Sequence, residues 1–435
     1  MELTQNLWER FGFRDNPYDT RALSFSERAL LPITKAFIGR DMESSESHII
    51  TNFFRNPGGG RVVIEGDVGV GKTTFVNYHR FLWEREAQDR LLTPSSEISV
   101  YSTWNANAFV MSVLGSLVSR FLILKGKEWV HSHEVLSEVE ALTHVYIERS
   151  LRWSGSLTVL GTGMGGSRAA ERTTNIPDVG MPQLIGYLEQ LASLAHEEDF
   201  SGITLHFDNM ELLMQADPEA LGRFFDEIRD VLQTPHYYFV FVAPTGFFQT
   251  VIAPRERVRS IFFGQPIAVP PLSEEEVLAV LQKRYELLAT ETDRWTPPVS
   301  DQLVIHLYKL FRGKIRFVMD AIQNIVSYVP EGLPGTISDD MAMEILSSLA
   351  HERATQLLTP TERDVLVAAA GVEEFTNASL TALTEKRKQH MANYIDKLVR
   401  LGLVRRIRQE GNEIFYEVAA DMRPLAVGSG VSHDE

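Results

Sequence analysis

The stretch Gly66-Asp67-Val68-Gly69-Val70-Gly71-Lys72-Thr73 stands directly behind the apolar run Val62-Val63-Ile64. It satisfies G-x-x-x-x-G-K-[ST] at every fixed position, in the strand-then-loop setting that gives the pattern its physical meaning. Glycines at 66, 69 and 71 let the backbone turn tightly and point its N–H groups inward. Those donors, with the positive end of the following helix, can cradle a polyphosphate. In such a cradle Lys72 reaches the outer phosphates, the Thr73 hydroxyl takes one Mg²⁺ position, and Val70 and Thr74 lie alongside. The pattern implies a site for ATP or ADP with Mg²⁺.

A chain of 435 residues has room for two or three domains and a large core. With 44% apolar and 23% charged residues it reads as an ordinary globular protein. No uninterrupted apolar stretch approaches the roughly 18 residues of a membrane span. The opening Met1-Glu2-Leu3-Thr4-Gln5-Asn6 lacks a signal peptide's basic start and apolar run, so a cytoplasmic chain with no membrane partner is expected. Cysteine is absent, which excludes disulfides and thiolate metal sites. His131, His133 and His206 lack metal-ligand spacing and read as structural. The net charge of −16 argues against indiscriminate coating of nucleic acid, but it leaves room for one concentrated basic patch.

Apolar strand-like runs recur at Val62–Glu65, Ile98–Ser102, Ile203–Asp208, Tyr238–Ala243 and Ile267–Val269, with helical patterns between most of them. That alternation predicts an α/β core, a parallel sheet with helices on both faces. The expected organisation is an N-terminal segment over 1–36, a P-loop core over 37–269, a helical lid over 270–351, a winged helix-turn-helix over 352–422 and a tail over 423–435. A flexible insertion rich in glycine is expected at about 154–180, within the core. The winged helix follows from the capping signal Thr359-Pro360-Thr361-Glu362, three helical stretches stopped by Gly371 and Gly402, and two strand-like runs, Val404–Arg408 and Glu413–Val418.

Mg²⁺ at a P-loop needs a second carboxylate, usually an Asp ending an apolar strand, and Asp208 supplies it. Hydrolysis also needs a group that orients or deprotonates water. Asn209 follows Asp208 and can position a water without accepting its proton, whereas Glu211 lies about one helical turn on and can serve as base. Slow turnover is expected, with nucleotide acting more as a signal than as fuel.

Taken with Phe37-Ile38-Gly39-Arg40, Arg257-Val258-Arg259-Ser260 and Gly313-Lys314-Ile315-Arg316, these motifs resemble the AAA+ ATPases of the origin-recognition type. Asn16-Pro17-Tyr18 also resembles the lead-in of the general-secretion and transposition AAA ATPases. The resemblance implies that Ile38, Gly39 and Arg40 border the adenine and that Thr245 senses the γ-phosphate. It implies that Arg316 contacts that phosphate from the lid. Arg257, with Arg259 as rival, would reach a neighbouring subunit's nucleotide in a homo-oligomer. The family more often has Glu and Asn where this chain has Asn209 and Thr245.

Residues 386–408 carry a formal +7 on an acidic chain. At 100° per residue Met391, Ile395 and Leu398 share one face of the predicted third helix. Gln389, Asn393 and Arg400 lie opposite, flanked by Lys386, His390 and Lys397. Amides can pair with adenine edges while Lys and Arg hold phosphates, so this face suits duplex DNA. Arg387 and Lys388 add charge, and Arg405, Arg406 and Arg408 are placed to grip flanking phosphates. This fold also resembles the winged helix of the multiple-antibiotic-resistance repressors. The expectation is an ATP-dependent DNA-binding switch with a protein partner or effector, in replication initiation, mobile-element control or defence against foreign DNA. The alternative is a signalling ATPase of the STAND kind, whose winged helix is an internal clamp that holds ADP.

Overall fold

The computed structural model describes residues 6–24, 29–40, 42–101, 104–155, 179–291, 294–330, 335–384 and 388–426. Most of the expected Gly-rich insertion, most of the tail, and Lys386 and Arg387 lie outside them. Internal contacts divide the chain into Ala22–Pro271 on one hand and Met1–Arg21 with Leu272–Glu435 on the other. The N-terminal segment expected as one piece over 1–36 is therefore shared between the two units.

Among its described residues the Ala22–Pro271 unit has six strands: β1 (Gly59–Glu65), β2 (Leu91–Leu92), β3 (Ile98–Ser99), β4 (Gly202–Asp208), β5 (Tyr237–Ala243) and β6 (Ile267–Ala268). All pair in parallel, in the order β2-β4-β5-β1-β6, with β3 also beside β4. Strands in such a sheet are covered on both faces, which is why every residue of β5 is buried. Successive side chains alternate between two cores. Val62, Ile64, Val240 and Val242 pack with Ile50, Phe53 and Phe75 on one face. Val63, Leu205, Phe207, Phe239 and Phe241 pack with Phe109, Leu117 and Leu188 on the other.

The helix Ala106–Lys125, capped by the Asn105 side chain on the Ala108 N–H, covers this second face. It has the length and composition of a membrane span, but its Phe109, Leu114, Leu117 and Phe121 fill the core. Two departures from the sequence reading concern strand length. Among the described residues of the run expected over Ile98–Ser102, Ile98 and Ser99 are strand, followed by one further bond from the Val100 N–H to the Asp208 carbonyl, and the two-residue β2 carries too little pattern to be read.

In the other unit, the described residues before Ala22 pack on the helix Glu274–Leu288. Phe13 bridges Ala289, its ring stacks on Tyr285, and the Tyr18 hydroxyl meets that of Tyr285. Buried Arg284 donates to the carbonyls of Pro17 and Asp19. Further helices of this unit are Asp301–Leu310, Ile315–Tyr328 and Asp339–Leu357. The winged helix follows as Pro360–Ala370, Asn377–Thr384 and Lys388–Arg400, then β7 (Val404–Glu410) and β8 (Glu413–Val418), antiparallel across Gly411-Asn412. Met391, Ile395 and Leu398 are buried with Val365, Leu366 and Leu403, the face that the periodicity predicted.

Candidate nucleotide site and winged-helix surface

The carboxyl ends of three adjacent strands, β4, β5 and β1, form the site, the position at which open α/β sheets hold ligands. Behind β1 the loop turns through Gly69 at φ 88° and Gly71 at φ 96°, left-handed values that a side chain would strain. Lys72, buried, donates from Nζ to the carbonyls of Gly66 (2.8 Å) and Asp67 (2.9 Å). Thr73 Oγ1 donates to Asp208 Oδ2 at 2.8 Å. The two oxygens expected to hold Mg²⁺, 135 residues apart in sequence, are thus in direct contact. This donor set fits a small hard cation, which takes oxygen ligands and usually only one or two from protein carboxylates.

Asn209 stands just beyond β4 in the left-handed region, φ 70°. Its N–H donates to Asp208 Oδ1 at 2.8 Å, and its side-chain amide donates to Ser99 Oγ on β3 at 3.1 Å. Glu211 falls in the first turn of the helix Met210–Ala216, and its Oε2 is buried without a hydrogen-bond partner among the described residues. Thr245, two residues past β5, donates to Asp67 Oδ1 at 3.2 Å.

Arg40 is buried with Nη2 donating to the carbonyls of Val70 (3.0 Å) and Pro270, so it braces the loop from outside. Gly39 has φ 92° and Ile38 is half-buried, beside Phe37, which stacks on Tyr78 with centroids 4.0 Å apart. The Thr74 hydroxyl accepts from the Leu23 N–H at 3.2 Å, and Asn77 donates to the Leu23 carbonyl. Residues just after Arg21 are thereby tied to the helix that follows the loop.

Beneath the site, Arg80 donates to Thr93 Oγ1 (2.7 Å), Asn77 Oδ1 (2.9 Å) and the Pro94 carbonyl, and lies 3.4 Å from His206 Nδ1. Burial, with Arg80 beside it, lowers the His206 pKa well below the usual imidazole range. His206 therefore stays neutral and structural.

Arg257 and Arg259 are exposed on the short helix Glu256–Arg259, with no side-chain partner among the described residues. Arg255, which the sequence did not single out, is the bound arginine there, paired with Glu219 and Asp226. Arg316 belongs to the other unit, exposed in the first turn of Ile315–Tyr328.

On the winged helix, His390, Asn393, Asp396, Val399 and Arg400 are exposed. Asn393, Asp396, Val399 and Arg400 line an open concavity of about 530 Å³. The side chains of Lys388 and Gln389 lie outside the described set. Three expected DNA contacts are instead committed to carboxylates. Lys397 donates to both oxygens of Glu362 (2.8 and 2.7 Å), Arg405 pairs with Glu417, and Arg408 holds Glu374 and Glu410. Counting along 386–408 missed these because Glu362, Glu374, Glu410 and Glu417 arrive from outside that stretch. Arg406 remains exposed, and among the described residues its side chain is bonded only to the neutral Gln409.

Glu417 is buried and faces four cations: Arg312 (3.2 Å), Lys314 (3.4 Å), Arg423 (3.4 Å) and Arg405. Burial works to raise its pKa, but these cations, Arg405 and Lys314 foremost, hold it below the usual carboxylate range. Burial, with Arg312 close by, lowers Arg423 to about 10.

No family model matches the chain, and no curated protein matches it. Solved structures do. The ADP form of the Aeropyrum pernix ORC2 protein is 16% identical, covering 97% of this chain and 100% of that one, with a TM-score of 0.47. Cdc6p from Pyrobaculum aerophilum is 14% identical over 93% of this chain and 96% of that one, TM-score 0.39. The Aeropyrum pernix ORC1 protein in complex with DNA is 14% identical over 92% and 95%, TM-score 0.41. The chain is similar to origin-recognition and Cdc6 proteins along nearly its whole length.

Proposed function

We propose that the chain is an ATP-dependent DNA-binding switch. The observation that carries this reading is the contact of Thr73 with Asp208 in front of the left-handed glycines, in a chain that also carries a winged helix. Thr73 and Asp208 would hold Mg²⁺, which supplies charge neutralisation between the outer phosphates when bound. Lys72 has hydrogen-bonding reach within the loop, and Thr245 is tied to the same loop through Asp67. The Asn209 amide is spent on Ser99, which leaves the unpartnered Glu211 oxygen as the proton acceptor for water. With one such group, hydrolysis is slow. Exposed and unpaired among the described residues, Arg257 is available to a neighbouring copy's nucleotide.

DNA is met by the exposed side chains of Lys388–Arg400. Asn393 and Arg400 have the donors that suit adenine and guanine edges, and Arg406 suits a phosphate. Arg400→Ala and Arg406→Ala are each expected to weaken binding of a labelled duplex, read by anisotropy across a salt series, by about tenfold at low salt. Arg406→Ala also flattens the log–log salt slope by about 0.9. A second reading has its own support, since Asp396 and Val399 share the exposed face and three of the cations are neutralised. No affinity for duplex at low salt in any nucleotide state would favour that reading, a winged helix used as a protein clamp.

A further inference from the structure

Glu65 is the last residue of β1 and stands immediately before the first glycine of the loop. A carboxylate there is chemically odd. The rest of the strand is apolar or glycine apart from Arg61, and a fixed anion beside a phosphate-binding loop opposes the ligand through Coulomb repulsion. Glu65 is nonetheless only 7% exposed, and no ion pair joins it to a described residue. Burying a carboxylate without a cation is tolerable when main-chain donors take its place.

Those donors come from the turn after β5. Oε2 accepts the Gly246 N–H at 3.0 Å and Oε1 accepts the Phe248 N–H at 2.5 Å. Thr245 sits next to Gly246 and donates to Asp67, two residues after Glu65. The turn is thus fastened to the loop from both sides, by Glu65 before the first glycine and by Asp67 after it. Beyond Phe248 the chain runs through Phe248–Ile252 into Glu256–Arg259, so the same anchor fixes the start of the segment that carries Arg257.

We propose that Glu65 is a positioning residue which keeps Thr245 in register with the nucleotide loop and so sets the preference for ATP over ADP. This rests on reading the loop as an ATP site. A bare glutamate carboxylate accepts both N–H groups. A glutamine accepts through one oxygen only and turns its NH₂ against the second N–H, donor against donor. The turn then loses one of its two bonds, the other loses its charge assistance, and with them goes the placement of Thr245.

The test is calorimetric titration of the full chain with ATPγS and with ADP, in wild type, Glu65→Gln, Thr245→Ala and the double variant. The expected result is ADP affinity within about twofold of wild type in Glu65→Gln, with ATPγS affinity down about tenfold. The double variant should lose no more discrimination than Thr245→Ala alone, because both changes act through one turn. An unchanged ATPγS-to-ADP ratio in Glu65→Gln, or fully additive losses, overturns the proposal. If Glu65→Gln does not fold, hydrogen exchange on wild type decides. The Gly246 and Phe248 amides should exchange more slowly with ATPγS than with ADP, and equal rates overturn the proposal. Failure of wild type to bind either nucleotide overturns the ATP reading itself, which separates the two failures.

Discussion

Lys72→Ala is expected to remove ATP binding, with affinity for ATPγS falling at least about 100-fold, or about 2.7 kcal/mol. The ammonium is buried at the mouth of the loop and is held by two loop carbonyls at 2.8 and 2.9 Å. It is the cation that the motif aims at the outer phosphates. Hydrogen bonds to charged partners contribute about 1.5–3 kcal/mol each, so losing the donors and the charge together accounts for the whole effect. The same truncation frees the Gly66 and Asp67 carbonyls, so the nucleotide-free protein should also melt slightly earlier. Titration calorimetry separates the two consequences. A variant that binds ATPγS within threefold of wild type would show that this loop does not hold the triphosphate.

Glu417→Ala is expected to be the most destabilising single change on the winged-helix side. The carboxylate is nearly inaccessible, with a side-chain exposure of 4%, and its four cations belong to three places: Arg312 and Lys314 before the helix of Arg316, Arg405 on β7, and Arg423 in the last turn. Removing one partner of a buried pair typically costs about 3–5 kcal/mol, because the opposite charge is left uncompensated. Here several cations would face one another around a void. The expected drop in melting temperature is about 10 °C, at roughly 2–4 °C per kcal/mol for a unit of this size.

Glu417→Gln keeps the shape and most hydrogen bonds, so it should fall between. Because the native Glu417 pKa is depressed, its contribution is present above the unfolded carboxylate pKa and is lost as pH falls through the folded one. The glutamine variant should therefore show a flatter loss of stability below about pH 4.5. An alanine variant that melts within 1 °C of wild type would contradict the pairing.

Much of this was legible in the sequence wherever the signal is local. A P-loop, an Asp ending an apolar strand, and a helix with Met391, Ile395 and Leu398 at 100° spacing are each decided within about ten residues, and each stands where expected. The strand-like runs expected at Val404–Arg408 and Glu413–Val418 stand as β7 and β8, with β7 running on to Glu410.

What was not legible is long-range pairing. Nothing near Lys397 in sequence announces Glu362, and nothing near Arg405 announces that Glu417 also gathers Arg312 and Lys314. A basic stretch read along the chain therefore overstated the charge presented to a partner. Glu65 and Asp67 were visible as acids around a phosphate loop. Their use became evident only when the turn after β5 was found on top of them. The aromatics Phe13 and Tyr18 gave no hint of direction, since both pack on Tyr285, 267 residues beyond Tyr18.

The measurement that bears most directly on the switch is equilibrium binding of a labelled duplex to the full chain without nucleotide, with ADP and with ATPγS, each with Mg²⁺. Binding is expected to be about tenfold tighter with ATPγS than with ADP, a coupling of about 1.4 kcal/mol, with no such difference in Lys72→Ala. Equal affinity in all three states would contradict it: the chain would then be a DNA-binding protein whose nucleotide site does not govern the winged helix.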